Sequence, residues 1–445
     1  MEDKTKYNKA WVVSVSMGYG HDRAAFPLRG FAHEGIVAAN DYEGIPLSDK
    51  GLWKNSRKLY EQISRIREIP LVGEPIFEVM DHWQEIPEFY PERDLSDSSI
   101  QLKTIYQTFA KKQFLKHLIT KKLAQKNLPL VTTYFMISLA AEYYGFPNEI
   151  HVILTDTDIS RAWVSMYPQK SRIKYFAPSR RVVERLKRYG VPAENISLTG
   201  FPLPMENIGE TKYSVLKKDL AARLVRLDPN RNYISRFEDS IGDHIGKLPK
   251  KSKDPITVMF AVGGAGAQRK MAKEIIGSLR DLIVEKKVRL LLSAGSRGEV
   301  AGYFRAAIRK FDLTDELGKG IDIVFDASKM KYFELFNEAL RSTDVLWTKP
   351  SELSFYTGLG IPIIMAEPIG SQEDFNREWL QQAGSGIDQR DARYADEWLT
   401  DWFESGWLAR AAMNGFLYAP KRGAYRVESC VANRACILPE PIEPI

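Results

Sequence analysis

Three places in this chain hold residues able to handle a phosphate, a proton and a polyol. In Gly18-Tyr19-Gly20-His21 the glycines let main chain approach a ligand, and the imidazole titrates near neutrality. His21 can therefore take a proton from a hydroxyl, or donate a hydrogen bond to a diphosphate. Asp156 follows the apolar run His151 to Thr155, at a strand's carboxyl end where ligands gather in open α/β sheets. Its carboxylate can act as a base, orient a hydroxyl, or only cap the next turn. The third place is residues 343–376. There Val345 to Trp347 runs into Lys349-Pro350, then into a helix-like run opened by Ser351, Glu352 and Ser354. A second apolar stretch, Ile361 to Met365, leads to Gly370-Ser371-Gln372-Glu373 and Asn376. A strand, a turn and a helix N-terminus make an anion site, because free N–H groups and the helix dipole both favour phosphate. Gln372, Glu373 and Asn376 add donors and acceptors suited to sugar hydroxyls.

Positioning these residues calls for alternating strands and helices, and the sequence reads that way. Strand-like runs stand at Ala10 to Ser16, Leu128 to Thr133, His151 to Thr155, Arg172 to Ala177 and Ile196 to Thr199. The helix expected at Val182 to Tyr189 stops at Gly190. Gly200-Phe201-Pro202-Leu203-Pro204 breaks regular structure, so one domain is expected over residues 1–204. Residues 205–255 are polar and read as a linker or insertion, with a helix-like piece near Val215 to Leu227. A second domain opens with the strand Ile256 to Val262 and runs to about residue 420. It continues through a helix (Met271 to Glu285), strands (Val288 to Ser293, Ile321 to Phe325) and the fragment above, to a Trp-rich helix over 395–418. Residues 421–445 read as a loosely packed tail. The class is α/β, with mainly parallel sheets in two domains.

Other glycine turns follow strands of the second domain. Gly263-Gly264-Ala265-Gly266 leaves room for a phosphate, with Gln268 and Arg269 in reach of it. Gly295 ends the next strand, and Phe325 the one after it. No acidic residue stands where a dinucleotide fingerprint needs one. Asp156-Thr157-Asp158 spells a DxD of the kind that holds a divalent metal, but three residues recur by chance and no His or Cys cluster has ligand spacing, so no metal is expected.

The 445 residues carry a net charge of +6, a mild excess that fits anionic partners. No apolar run approaches the roughly 18–20 residues needed to cross a bilayer. The charged start MEDKTKYNK lacks the core of a secretory signal. With only Cys430 and Cys436, a disulfide framework is not expected, and a reducing cytoplasm is the default. Residues 53–68 and 101–126 are basic and amphipathic; Lys112 and Lys116 belong to a lysine-crowded surface that can lie on anionic lipid.

The order of these motifs resembles nucleotide-sugar glycosyltransferases of the GT-B fold, above all the group of diacylglycerol glycosyltransferases and the lipid II-forming N-acetylglucosaminyl transferase. Gly18 to Ala25 is similar to their GGGHxxAA turn, with Tyr19 in place of a glycine. Asp156, Trp163, Phe176 to Ser179, Gly190-Val191-Pro192 and Thr199-Gly200-Phe201-Pro202 follow in the same order. Thr348-Lys349-Pro350, Gly360-Ile361-Pro362 and Ser371-Gln372-Glu373-Asp374-Phe375-Asn376 match the TKPGG, GxP and GQExxN segments. Two glycines of that group are replaced by Ser351 and Glu352, and a ribose-binding carboxylate by Phe355. The resemblance implies two Rossmann-like domains facing a cleft, and inverting, metal-independent transfer of a sugar, from UDP, to an acceptor hydroxyl. His21 or Asp156 would be the base, main-chain amides past Pro350 would hold the diphosphate, and Gly295 and Phe325 with its backbone would stand beside the nucleotide's base. It implies no cofactor beyond the donor substrate, no nucleic acid partner, and a lipid acceptor in the N-terminal domain near Trp53, Trp83 and Tyr90, at the inner face of a membrane. Two rivals share the fold: a UDP-sugar 2-epimerase and a binding protein with a degenerate donor site.

Overall fold

The computed structural model describes residues 7–55, 86–210, 212–250, 252, 254–263, 268–368, 371–433 and 436. Among them, twelve strands form two six-stranded sheets. The first is ordered β2 (Val37–Ala38), β1 (Trp11–Ser14), β3 (Leu130–Thr132), β4 (Ile150–Ile153), β5 (Ile173–Ala177) and β6 (Ile196–Leu198). The second is ordered β12 (Gly386–Asp388), β11 (Ile363–Met365), β10 (Val345–Thr348), β7 (Ile256–Ala261), β8 (Val288–Gly295) and β9 (Ile321–Phe325). Every pairing is parallel, for example Val131 with His151 and Phe260 with Trp347. The central strands are short continuous apolar runs because helices cover both faces of such sheets. Strand order reverses between β1 and β3, and again between β7 and β10. Each reversal opens a crevice at the strands' carboxyl ends, where open α/β sheets bind ligands.

Several elements differ from their sequence reading. The helix read over Met271 to Glu285 is two, Arg269–Ser278 and Arg280–Val284. The Trp-rich stretch is also two, Ala395–Glu404 and Trp407–Tyr418, parted by Gly406 at φ +74°. Within residues 205–255 the helix-like piece near Val215 to Leu227 is present as the helix Ser214–Leu227; what differs is its packing, since Leu216, Leu220, Leu224 and Leu227 are buried in the core of the C-terminal lobe rather than lying in a linker. Its buried Arg223 donates to the carbonyls of Thr343, Leu359 and Gly360.

The reading of 421–445 as loose tail is corrected over Gly423–Ala432, a helix whose Ala424, Val427, Cys430 and Val431 pack on Ala10, Val12, Ala25 and Leu28 of the N-terminal lobe. This return is possible because residue 423 is glycine; a Cβ there would stand 2.1 Å from the Phe201 carbonyl oxygen. Cys430 and Cys436, whose number gave no expectation of a disulfide framework, form one disulfide. Among the described residues, no helix is long and apolar enough to cross a membrane.

Candidate functional site

On the N-terminal side, the turn after β1 feeds the short helix Gly20–Ala25. Asp22 fixes the turn by accepting from Ser14 Oγ (2.6 Å) and Ser16 Oγ (3.1 Å), and from Lys329 Nζ of the other lobe (2.6 Å). The neighbouring β3 turn holds His21 from behind: Thr133 Oγ1 donates to the His21 carbonyl (3.0 Å), and the ring meets Tyr134 edge-on at 4.9 Å. Burial drives the His21 imidazole down to about 4, against the pull of Asp22 and Thr133, so the ring is neutral at pH 7. Its Nδ1 is buried without a hydrogen-bond partner.

Asp156 stands past the end of β4 and keeps some exposure to the crevice. Enclosure by the two lobes pushes its carboxyl up to about 6. Glu352 and Glu373 raise it further, while hydrogen bonds from Asn376 and Thr155 oppose the shift. Asn376, on the helix Ser371–Gln382, is fully buried. Its Nδ2 donates to Asp156 Oδ1 (3.0 Å) and to the Pro350 carbonyl (3.2 Å), and its Oδ1 accepts from Thr157 N (2.9 Å). One amide thus ties the proposed base of one lobe to the Lys-Pro turn of the other. The second aspartate of the DxD turns away: Asp158 is fully buried and takes two 2.8 Å bonds from Arg185.

On the C-terminal side, Lys349 pairs with Glu373, and its Cε lies 2.9 Å from where a Cβ on Gly263 would stand. That contact explains why the turn after β7 has glycine at position 263. Residues after β10 and β7 thus meet at the second strand-order reversal, as those after β1 and β3 do at the first.

The space expected to be open past Pro350 is occupied, and this corrects the sequence reading. Glu352, at the start of the 3₁₀ helix Glu352–Leu359, reaches across to Arg23 (3.2 Å), with its Oε2 3.2 Å from a Cβ position on Gly20. Arg23 also donates to Tyr332 Oη (2.7 Å) and lies 4.0 Å over the Phe336 ring. Burial works against the Arg23 charge, but Tyr332, Tyr356 and Glu352 outweigh it and raise its pKa. Phe355 is stacked on Phe201 (4.7 Å, 8°) and touches Trp379, so it is core. Ser354 is likewise fully buried. Tyr19 crosses the cleft in the same way: Ser296 N donates to its Oη (2.7 Å), and the hydroxyl lies 2.1 Å from a Cβ position on Gly295.

At the mouth of the cleft a cavity of about 330 Å³ remains, bounded by Gly18, Tyr19, Ser296, Arg297 and Lys329. Of the other expected site residues, Gln268 buries its Oε1 without a partner and Phe325 is half-buried at the end of β9. Gln372 lies in the first turn of the helix that carries Asn376. Arg269 begins a helix, but its side chain lies outside the described residues, as do Gly264, Gly266 and Trp83. Trp53 is buried against Phe114 and Tyr134, one ring removed from His21. Tyr90 is 68% exposed, and Lys112 and Lys116 are on the surface. Arg23, Lys329 and Thr133 are the residues that motif reading missed; nothing in their local sequence marks contacts made across a lobe or a strand-order reversal.

Comparison with known proteins bears out the resemblance. Residues 248–400 match a domain of unknown function (DUF6938). The processive diacylglycerol beta-glucosyltransferase of Bacillus subtilis (strain 168) is 22% identical over 238 residues, covering 53% of this chain and 49% of the relative. Its Bacillus pumilus (strain SAFR-032) counterpart is 21% identical over 267 residues, 59% of this chain and 57% of the relative. The chain thus spans about half the length of the curated relatives it matches. Among solved structures, an S. aureus MnaA–UDP co-structure superposes with a TM-score of 0.50 at 13% identity, over 98% of this chain and 100% of that one. The two facing parallel-sheet lobes are the GT-B fold.

Proposed function

We propose that the cleft binds a nucleotide-diphosphate sugar, with UDP as the nucleotide, and transfers the sugar to an acceptor hydroxyl with inversion. The acceptor oxygen forms a bond to the anomeric carbon as the bond from that carbon to the diphosphate breaks. The acceptor's proton passes to Asp156. A carboxylate near 6 is a better base at neutral pH than an imidazole near 4. Neutral His21 is then the group that orients the acceptor or donates to the diphosphate, rather than the base. Lys349, the amides past Pro350, and Arg23 once Glu352 leaves it, offset the charge of the departing diphosphate. Protein cations fill the part that a metal plays in other transferases.

The observation carrying this reading is the Asp156–Asn376 bond, which sets an N-terminal carboxylate of raised pKa against the helix Ser371–Gln382 of the C-terminal lobe. A lipid acceptor is favoured by the diacylglycerol glucosyltransferase relatives and by the aromatic path from Trp53 through Tyr134 to His21. Lys112 and Lys116 would then rest on anionic lipid at the inner face of a membrane. A second reading, a binding protein sealed against donors, is favoured by Glu352 against Arg23 and by Phe355 in the core.

The test is turnover of UDP-sugars with diacylglycerol and soluble acceptors. Asp156→Asn should remove transfer and leave UDP affinity within about threefold, since the asparagine removes the base and keeps the shape. Loss of transfer on His21→Ala with full transfer by Asp156→Asn would reverse the assignment. Epimerised sugar without transfer would replace it with the 2-epimerase chemistry.

A further inference from the structure

We propose that the C-terminal lobe carries a second ligand site, at the end of its sheet away from the cleft, for a phosphate borne on a flat heteroaromatic ring. The helix Ser214–Leu227 runs down to the amino ends of the strands. There Arg226 pairs with Asp344, just before β10, and Asp344 accepts from Thr257 N at the start of β7. Immediately after this helix, Asp228 is buried and gathers the N–H groups of Asn232, Tyr233 and Ile234 at 2.8–2.9 Å. The side-chain amides of Asn230 and Asn232 donate to the Glu404 carbonyl, which locks the loop onto the end of the helix Ala395–Glu404. Gly406, at φ +74°, lets the chain pass; a Cβ there would stand 2.8 Å from Asp228 Oδ1. The floor of the site is therefore preformed.

Above it lies a cavity of about 590 Å³, walled by Asn232, Tyr233, Arg236, Phe237, Trp407 and Arg410. Small-molecule sites commonly measure about 300–1,000 Å³. Tyr233 and Phe237 sit 4.9 Å apart at 35°, and Phe237 remains 47% exposed. Such a stack presents rings to solvent that a planar ligand would cover. Arg231 already pairs with Glu238, whereas among the described residues no carboxylate lies within ion-pair distance of Arg236 or Arg410. Two unpaired guanidinium forks beside three aromatic rings match a phosphate attached to a base. Neither half of the ligand alone uses both features. The site does not depend on the cleft's chemistry.

Calorimetric titration of the whole chain tests this, with AMP and UMP as probes and adenosine and inorganic phosphate as part-ligands. The monophosphates should saturate, and each part-ligand should bind about tenfold or more weakly. Arg236→Ala with Arg410→Ala should weaken monophosphate binding by about tenfold or more, the loss expected for charge-assisted bonds. Both side chains are exposed, so the thermal midpoint should hold; Phe237→Ala and Arg410→Gln give the same readout should the double variant unfold. Turnover of UDP-sugars should persist in all of them. Absence of saturation, equal binding of adenosine, or binding that ignores the arginine variants and falls in Lys349→Ala would each overturn the proposal.

Discussion

Asp156→Asn should stabilise the protein while disabling it, and the size of the effect follows from where the carboxylate sits. Its pKa stands near 6 in the folded chain against an ordinary 3.8. Between about pH 4 and 6 the native state therefore holds a proton that the unfolded state has released. Stability contributed by this group falls as pH rises through that window, and the whole cost is present above pH 6. At about 1.4 kcal/mol per pH unit the cost approaches 3 kcal/mol, an upper limit because Asp156 keeps some exposure to the crevice. His21 slopes the other way: with its pKa lowered from 6.5 to about 4, stability is lost as pH falls through that interval. The two slopes oppose each other in the native protein, so the informative quantity is the difference between variant and native protein. The asparagine can still accept from Asn376 and can donate to Thr155. Urea unfolding from pH 4 to 8 should give equal stabilities at pH 4 and a variant more stable by up to about 3 kcal/mol at pH 7 to 8, with transfer activity lost. A difference that stays flat with pH, or a variant less stable at pH 8 than native protein, would refute the assignment of a raised pKa.

Asn376→Ala leaves Thr157 N–H and the Pro350 carbonyl unpaired in the lobe interface. It should cost about 2–4 kcal/mol in denaturant unfolding. Gly295→Ala must expel the Tyr19 hydroxyl and adopt a strained φ of +70°. The expected result is a lower thermal midpoint, corresponding to about 1–3 kcal/mol, and faster amide exchange at Ser296. Phe355→Glu introduces the carboxylate that the family resemblance implies at this place but buries it between Phe201 and Trp379. It should destabilise the chain by several kcal/mol, on the order of 3–5, with no gain in nucleotide affinity by calorimetry.

Much of the fold was legible because parallel strands announce themselves as short apolar runs closed by turn residues. Ile321–Phe325 is found where the sequence puts it, and β1, β3, β4 and β7 shift only at their ends. The short edge strands Val37–Ala38 and Gly386–Asp388 gave no signal, being two and three residues long. The helix Gly423–Ala432 was taken for tail because its apolar face fits a surface formed by residues some 400 positions earlier, which no local pattern encodes. In the site, motif order located His21, Asp156, Lys349 and Asn376 on the lobes that carry them. What spacing could not reveal was which partners they choose. Ser351 and Glu352 stood out as departures from glycine, yet only the folded chain pairs Glu352 with Arg23 and buries Phe355 on Phe201.

The claim beneath the whole account is that the two lobes admit a nucleoside diphosphate between them despite Glu352. Calorimetric titration of UDP into the full chain and into Lys349→Ala measures this directly. The account predicts a saturable cleft site that is weakened by about tenfold or more in the lysine variant and persists when Arg236 and Arg410 are replaced, those substitutions removing only nucleotide held at the second site. No heat and no saturation with UDP or GDP would contradict it and leave the sealed binding protein as the reading.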